Sequence, residues 1–300
     1  MKNIDPKGIE GPSSQWGRTC LKRIRPVAGM AMVLILLSLP AQGHVLEGPH
    51  ILELMTQTLA GAKTLKVEQQ VMVEDDAFLD QSSLTLSETL IYAFPDRFRS
   101  DTRGEESSRI YVQTGSASLT IVDGYRTEAG ASPYDKYINL LLHRSRTPLH
   151  KMLLSNDVDV EKTSLGRFED RVVYVVGAQY PDESISQVWV DKESLLPLRW
   201  IDVSRKDPQD RVEFIYREWQ KRNNLWYPTR IEIRHRQVPV RRIVVAALQV
   251  DIELSNDLFD MALLLQAFPS EEQRLPLGPT ETDVDEVERT IEQFQKKFED

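Results

Sequence analysis

Two stretches of this chain, residues 65–127 and 158–254, are written in one code: short runs in which every second residue is apolar, separated by polar breaks. In LKVEQQVMV, Leu65, Val67, Val71 and Val73 fall on one side. In SSLTLSETLIYAF, Leu84, Leu86, Leu90 and Tyr92 do, with Thr85, Ser87 and Thr89 opposite. In VWVDKESLLPLRW, Val188 and Val190 share a side of one arm, Leu196, Leu198 and Trp200 share a side of the other, and DKES makes the turn. Alternation with period two marks a strand with one buried side. DRFRSD, RIYVQ and SLTIVDGYRTEA continue the first stretch, the last with the hairpin dipeptide Asp123-Gly124. VDVEKTSL, RVVYVVGAQY, ISQVWVD, LPLRWIDVS, RVEFIYREWQ, LWYPTRIEI and RRIVVAALQVDIEL make up the second. Short polar connections predict an antiparallel meander. About eleven or twelve strands are too many for a flat sheet, so the sheet must curl strongly or close into a barrel.

Period 3.6 enters at three places. GPHILELMTQTLAGAK has Pro49 near the first helical position and Gly61 past the last, with Leu52, Met55 and Leu59 on one face. SPYDKYINLLLHRSRTPLHKMLLSND lies between the two strand-coded stretches. Its apolar residues Tyr137, Leu140 and Leu141, then Leu149, Met152 and Leu153, predict two short helices broken near Pro148. After residue 268 the composition turns polar, and DVDEVERTIEQFQKKFED sets Val284, Val287, Ile291, Phe294 and Phe298 along one helical seam. The expected organisation is a leader over 1–43, an α+β, mainly β domain over 44–268, and a linker with a C-terminal amphipathic helix over 269–300.

The leader is read from Lys22, Arg23 and Arg25, the apolar run Val27 to Leu39, and the small-x-small motif Ala41-Gln42-Gly43. This is the order of a secretory signal, and a run of 13 residues is short for a membrane span of about 20. An exported, periplasmic protein is expected. The one cysteine, Cys20, precedes the apolar run, so it does not occupy a lipidation position. Residues 1–43 hold six Lys/Arg and two Asp/Glu, so residues 44–300 are more acidic than the −9 of the whole chain. That argues against nucleic acid as a partner.

Motifs for chemistry are absent. His44, His50, His143, His150 and His235 show no metal-ligand spacing, and no nucleophile elbow, phosphate loop or dinucleotide fingerprint occurs. No enzyme, cofactor or metal is expected. The sequence offers bulky apolar faces instead: Val172, Tyr174 and Val176; Leu196, Leu198 and Trp200; Val212, Phe214 and Tyr216; Tyr227, Ile231 and Ile233. In a curled sheet they converge, with helices carrying Met55 and Met152 over the open side. A packed core and a ligand cavity both satisfy that pattern. The alternating cations around Arg97 and Arg99, and around Arg230, Arg234 and Arg236, fit the wet face of a sheet or a site for an anionic headgroup.

The run SQVWVDKESLLPLRWIDVS…RVEFIYREWQKRNNLWYPTRIEI resembles the LolA/LolB-like outer-membrane lipoprotein-sorting family. So do MTQTLAGAKTLKVEQQV, LIYAFPDRFRSD followed by SLTIVDG, and VDIELSNDLFDM. The likeness spans residues 50–262. It implies a half-open β-barrel covered by short helices, and a soluble carrier that takes acyl chains of lipoproteins or lipids from an inner-membrane transporter to an outer-membrane acceptor. On that reading the apolar cavity is lined by Leu52, Met55, Leu59, Leu90, Tyr92, Phe98, Leu140, Met152, Tyr174, Leu198, Trp200, Phe214, Tyr216, Tyr227 and Ile231, with Arg97 and Arg99 at the headgroup or lid. Family carriers often place a basic residue before the Pro that ends the second strand; here Phe94 precedes Pro95. The same fold also serves a sensor or adaptor that binds lipid or envelope protein and acts through a partner, such as an inner-membrane lipid exporter.

Overall fold

A computed structural model describes residues 45–273, apart from 60, 75–83, 129 and 131. The expected leader and C-terminal helix lie outside the described residues. Helix α1 (Gly48–Leu59) comes first, then β1 (Thr64–Val73), β2 (Leu84–Ala93), β3 (Arg97–Arg103), β4 (Ser108–Thr114), β5 (Ala117–Val122) and β6 (Tyr125–Thr127). A 3-10 turn (Pro133–Lys136), α2 (Tyr137–Leu142) and α3 (Arg146–Ser155) come next. Then come β7 (Thr163–Phe168), β8 (Arg171–Val176), β9 (Gln187–Asp191), β10 (Pro197–Val203), β11 (Arg211–Arg222), β12 (Leu225–His235) and β13 (Val238–Val250). A 3-10 turn (Asn256–Phe259), α4 (Met261–Ala267) and a last 3-10 turn (Glu271–Gln273) close the described chain.

All thirteen strands join one antiparallel sheet in the order β6-β5-β4-β3-β2-β1-β13-β12-β11-β10-β9-β8-β7. The expected strongly curved, mainly β architecture is present, and β6 and β7 do not meet, so the sheet stays open. One strand exceeds the expected number. Asp123 and Gly124 both take positive φ (50° and 83°), the geometry of a tight hairpin turn, and Tyr125–Thr127 becomes a separate strand.

The topology dictates where the helices go. The first meander starts at the middle of the sheet and ends at one edge. The second starts at the other edge and returns to the middle. The segment joining the two edges, 128–162, must cross the open side, and it carries α2 and α3. The sheet curls around this segment: residues of α1, α2 and α3 pack with inward residues of β1, β2, β3 and β8 to β13 in one apolar cluster.

Two local readings change. Pro148 does not separate α2 from α3; it sits in the first turn of α3, where a missing N–H costs no hydrogen bond, and the break falls at 143–145. Val158 and Val160 precede β7 instead of belonging to it. Both are buried, and the Val158 N–H caps α3 through Leu153 O at 3.1 Å.

The outer face is apolar in two places. Ile91, Ala93 and Val112 pack under Phe259 and Leu264 of the C-terminal segment. Val173, Val175, Ala178, Trp189, Leu198 and Ile201 form the other patch. There Arg199 lies 4.7 Å over the Trp189 ring and bonds Glu183 at 2.7 Å and Glu213 at 2.5 Å.

Candidate functional site: the covered interior and its polar corner

The inner cluster is built mostly from the alternating residues read in the sequence. Leu52, Met55, Leu59, Leu90, Tyr92, Phe98, Leu140, Met152, Tyr174, Trp200, Phe214, Tyr216, Tyr227 and Ile231 all meet there. Leu198 does not. The β9–β10 register slips between Pro197 and Arg199, and this irregularity turns Leu198 to the outer cluster while Leu196 and Trp200 stay inside. Arg97 and Arg99 also lie outside. Period two puts them opposite Phe98. Arg97 lies 5.2 Å over the Phe259 ring, and Arg99 bonds Asp101 at 2.9 Å and Leu258 O at 3.2 Å. They hold the C-terminal segment against the sheet and face away from the interior.

The interior is densely filled. Trp200, Phe214, Tyr92, Tyr227, Met55 and Leu59 have essentially no exposure. Three of its hydroxyls are spent on each other and on backbone: Tyr92 to Tyr227 at 3.0 Å, and Tyr216 donating to Tyr137 O at 2.9 Å. Burial holds the Tyr92, Tyr216 and Tyr227 phenols above their ordinary pKa, so they stay neutral.

One cation was missed by the sequence reading. Arg144 sits in the break between α2 and α3. It donates through Nη1 to Leu59 O at the end of α1 and through Nε to Leu141 O at 2.8 Å, and lies 4.7 Å over the Phe94 ring. Burial pushes its pKa down to about 10, so it remains charged at neutral pH. Two helix C-termini supply the partial negative charge that keeps it there. Arg144 thus clasps α1, α2 and the end of β2 together, and it stacks on the very residue, Phe94, that precedes Pro95. A lone Arg in a polar break carries no sequence signal of this role.

The second missed feature is a polar corner. Gln69 and Glu88 interrupt the apolar alternation of β1 and β2, and they are register partners. Gln69 Nε2 donates to Glu88 at 2.7 Å and to the Tyr137 hydroxyl at 2.8 Å, Ser100 donates to Glu88 at 2.6 Å, and Thr102 lies at 3.3 Å. Beyond it, Asp135 of the Pro133–Lys136 turn bonds Arg109 at 2.8 Å and Arg241 at 3.0 Å. Two cavities flank that turn. One, of about 290 Å³, is lined by Phe98, Ser100, Arg109, Tyr111, Asp135 and Ile138 among others. The other, of about 280 Å³, is lined by Val71, Leu86, Glu88, Arg109, Tyr137 and Ile243 among others. Among the described residues no group of three His, Cys, Asp or Glu side chains is placed to hold a metal, and no helix is long and apolar enough to cross a membrane.

No family model matches the chain, and no curated protein matches it. Solved structures do. The LolA superfamily protein NE2245 from Nitrosomonas europaea matches 72% of this chain and 98% of its own, with 12% identity and a TM-score of 0.50. A domain from Vibrio parahaemolyticus named for outer membrane lipoprotein sorting covers 72% and 97%, with 13% identity and a TM-score of 0.49. A DUF1329 family protein from Desulfovibrio piger covers 72% and 97%, with 16% identity and a TM-score of 0.48. The fold of this chain is that of the LolA superfamily.

Proposed function

We propose that this chain is an exported periplasmic carrier that takes acyl chains of lipids or lipoproteins into the space between sheet and lid, without chemistry, and delivers them towards the outer membrane. The observation that carries this reading is the covering of the apolar interior by three short helices, two of them clasped to each other through Arg144. A sheet that packs its own core needs no such removable cover. Moving an acyl chain of about 15 methylenes into water costs on the order of 12 kcal/mol. A carrier must therefore move an apolar compartment with its cargo. The interior is filled in this closed state, so loading requires the lid helices to lift and their side chains to be replaced by acyl chain. Release in turn needs a partner that favours the open state. An inner-membrane donor and an outer-membrane acceptor are the partners this reading requires.

Native mass spectrometry of the protein purified without detergent, followed by solvent extraction, tests it. Adducts whose extracts contain diacyl lipid or lipopeptide are expected. A protein that arrives empty and takes up no fluorescent fatty acid would contradict the carrier reading.

A further inference from the structure

Beside the Pro133–Lys136 turn, Arg109 and Arg241 share the carboxylate of Asp135. Lys136 is neutralised elsewhere, by Asp202 at 2.6 Å. Glu88, across the second cavity, spends its oxygens on Gln69, Ser100, Thr102 and Tyr137. Glu88 balances the second guanidinium charge across that cavity, so what is unmet at this corner is a hydrogen-bond donor.

The leftover donor can be named. Arg109 gives Nη1 to Asp135, while its Nη2 is buried without a hydrogen-bond partner. A buried guanidinium edge with no acceptor is costly, and an incoming anion that satisfies it recovers that cost. Arg109 lines both cavities. In the larger one, Gln113, Ser132 and Asn139 add polar side chains, and Tyr111 carries the Arg109 guanidinium at 5.6 Å from its ring. Part of the lining is apolar: Phe98 and Ile138 belong to the inner cluster. A molecule placed here has its charged end at Arg109 and its apolar part against the covered interior.

We infer that this cavity receives the phosphate-type oxyanion end of an amphiphile, with Arg109 as its binding residue. This rests on the carrier reading and narrows it: the cargo is anionic at one end. The test is isothermal titration calorimetry on the protein expressed from the full chain, with dodecyl phosphate, dodecanol and inorganic phosphate as probes. Dodecyl phosphate is expected to bind about tenfold more tightly than dodecanol, the difference one charge-assisted hydrogen bond makes. Arg109→Met should abolish that difference; Arg109→Lys should retain part of it. Equal affinity for the two amphiphiles, or a preference that survives in Arg109→Met, overturns the inference while leaving the carrier reading intact. Inorganic phosphate binding as tightly as dodecyl phosphate identifies a free-anion site and overturns the amphiphile assignment. Binding of neither amphiphile overturns both. If Arg109→Met does not fold, the salt dependence of the wild-type preference decides: a preference unchanged between low and high salt overturns the inference.

Discussion

Single residues in this protein act mainly by completing other groups' hydrogen bonds. Asp191 is the clearest case. It ends β9 and holds the hairpin turn: its carboxylate accepts from the Glu193 N–H at 2.8 Å and the Ser194 N–H at 3.3 Å, and Arg171 donates to it at 2.7 Å. Burial pushes its pKa up, but these donors outweigh burial and hold it below the ordinary 3.8. On acidification the unfolded chain therefore takes up this proton before the folded one does, and the stability Asp191 adds is lost as pH falls below about 3.8. Asp191→Asn should lower stability at pH 7 by about 1 kcal/mol, with a gap that narrows on approach to pH 3. Thermal melts of both proteins across that range check it. Arg144 works the same way on the lid. Arg144→Met keeps apolar contact with Phe94 and removes both helix-end bonds. Hydrogen exchange in α1 and α2 should then quicken by roughly five- to 150-fold while exchange in β9 to β12 stays as in the parent, because about 1–3 kcal/mol of clasp is lost locally.

Elements here are placed by what they touch at their ends as much as by their faces. Helix α1 shows its inward face plainly in the sequence through Leu52, Met55 and Leu59, but its seat depends on Gly48. A Cβ at Gly48 would overlap the backbone oxygen of Val160, in the turn that leads out of α3 into β7. Gly48→Ala should unseat the start of α1 and cost about 2 kcal/mol or more in urea unfolding, with its largest exchange increase in α1. The strands were legible because period two is a backbone property. The alternation of Leu65, Val67 and Val71, or of Phe214 and Tyr216, survived into the fold. Leu198 escaped that reading because a slip of pairing at Pro197 reverses the side on which a residue emerges, and nothing in LLPLRW announces it. Gln69 and Glu88 were visible as gaps in two alternations. Only the register, which sets one opposite the other, makes them a site.

The whole molecule sets a curved sheet against a small helical cover crossing its open side. If cargo enters by replacing lid side chains in the interior, uptake is gated. The observed rate of fatty-acid uptake, followed by quenching of the buried Trp200 and its neighbours, should level off as ligand concentration rises. Arg144→Met should raise the plateau several-fold, since lid opening sets it. A rate that climbs linearly to the highest concentration would mean the interior is open without lid motion, and the clasp is not a gate. The sequence by itself determined a long antiparallel meander, its helical crossing, the sides most strands bury, and the lack of motifs for chemistry. These come from short-range periodicity and from residue types. The tertiary structure alone decided that Arg97 and Arg99 face outward to hold the C-terminal segment. It alone also made Arg144 the clasp and gathered Arg109, Asp135 and Arg241 from distant segments into one charged corner. Such juxtapositions depend on strand register, a bulge and the path of one crossing segment, which are set by the packing of the whole chain and leave no local trace in its order of residues.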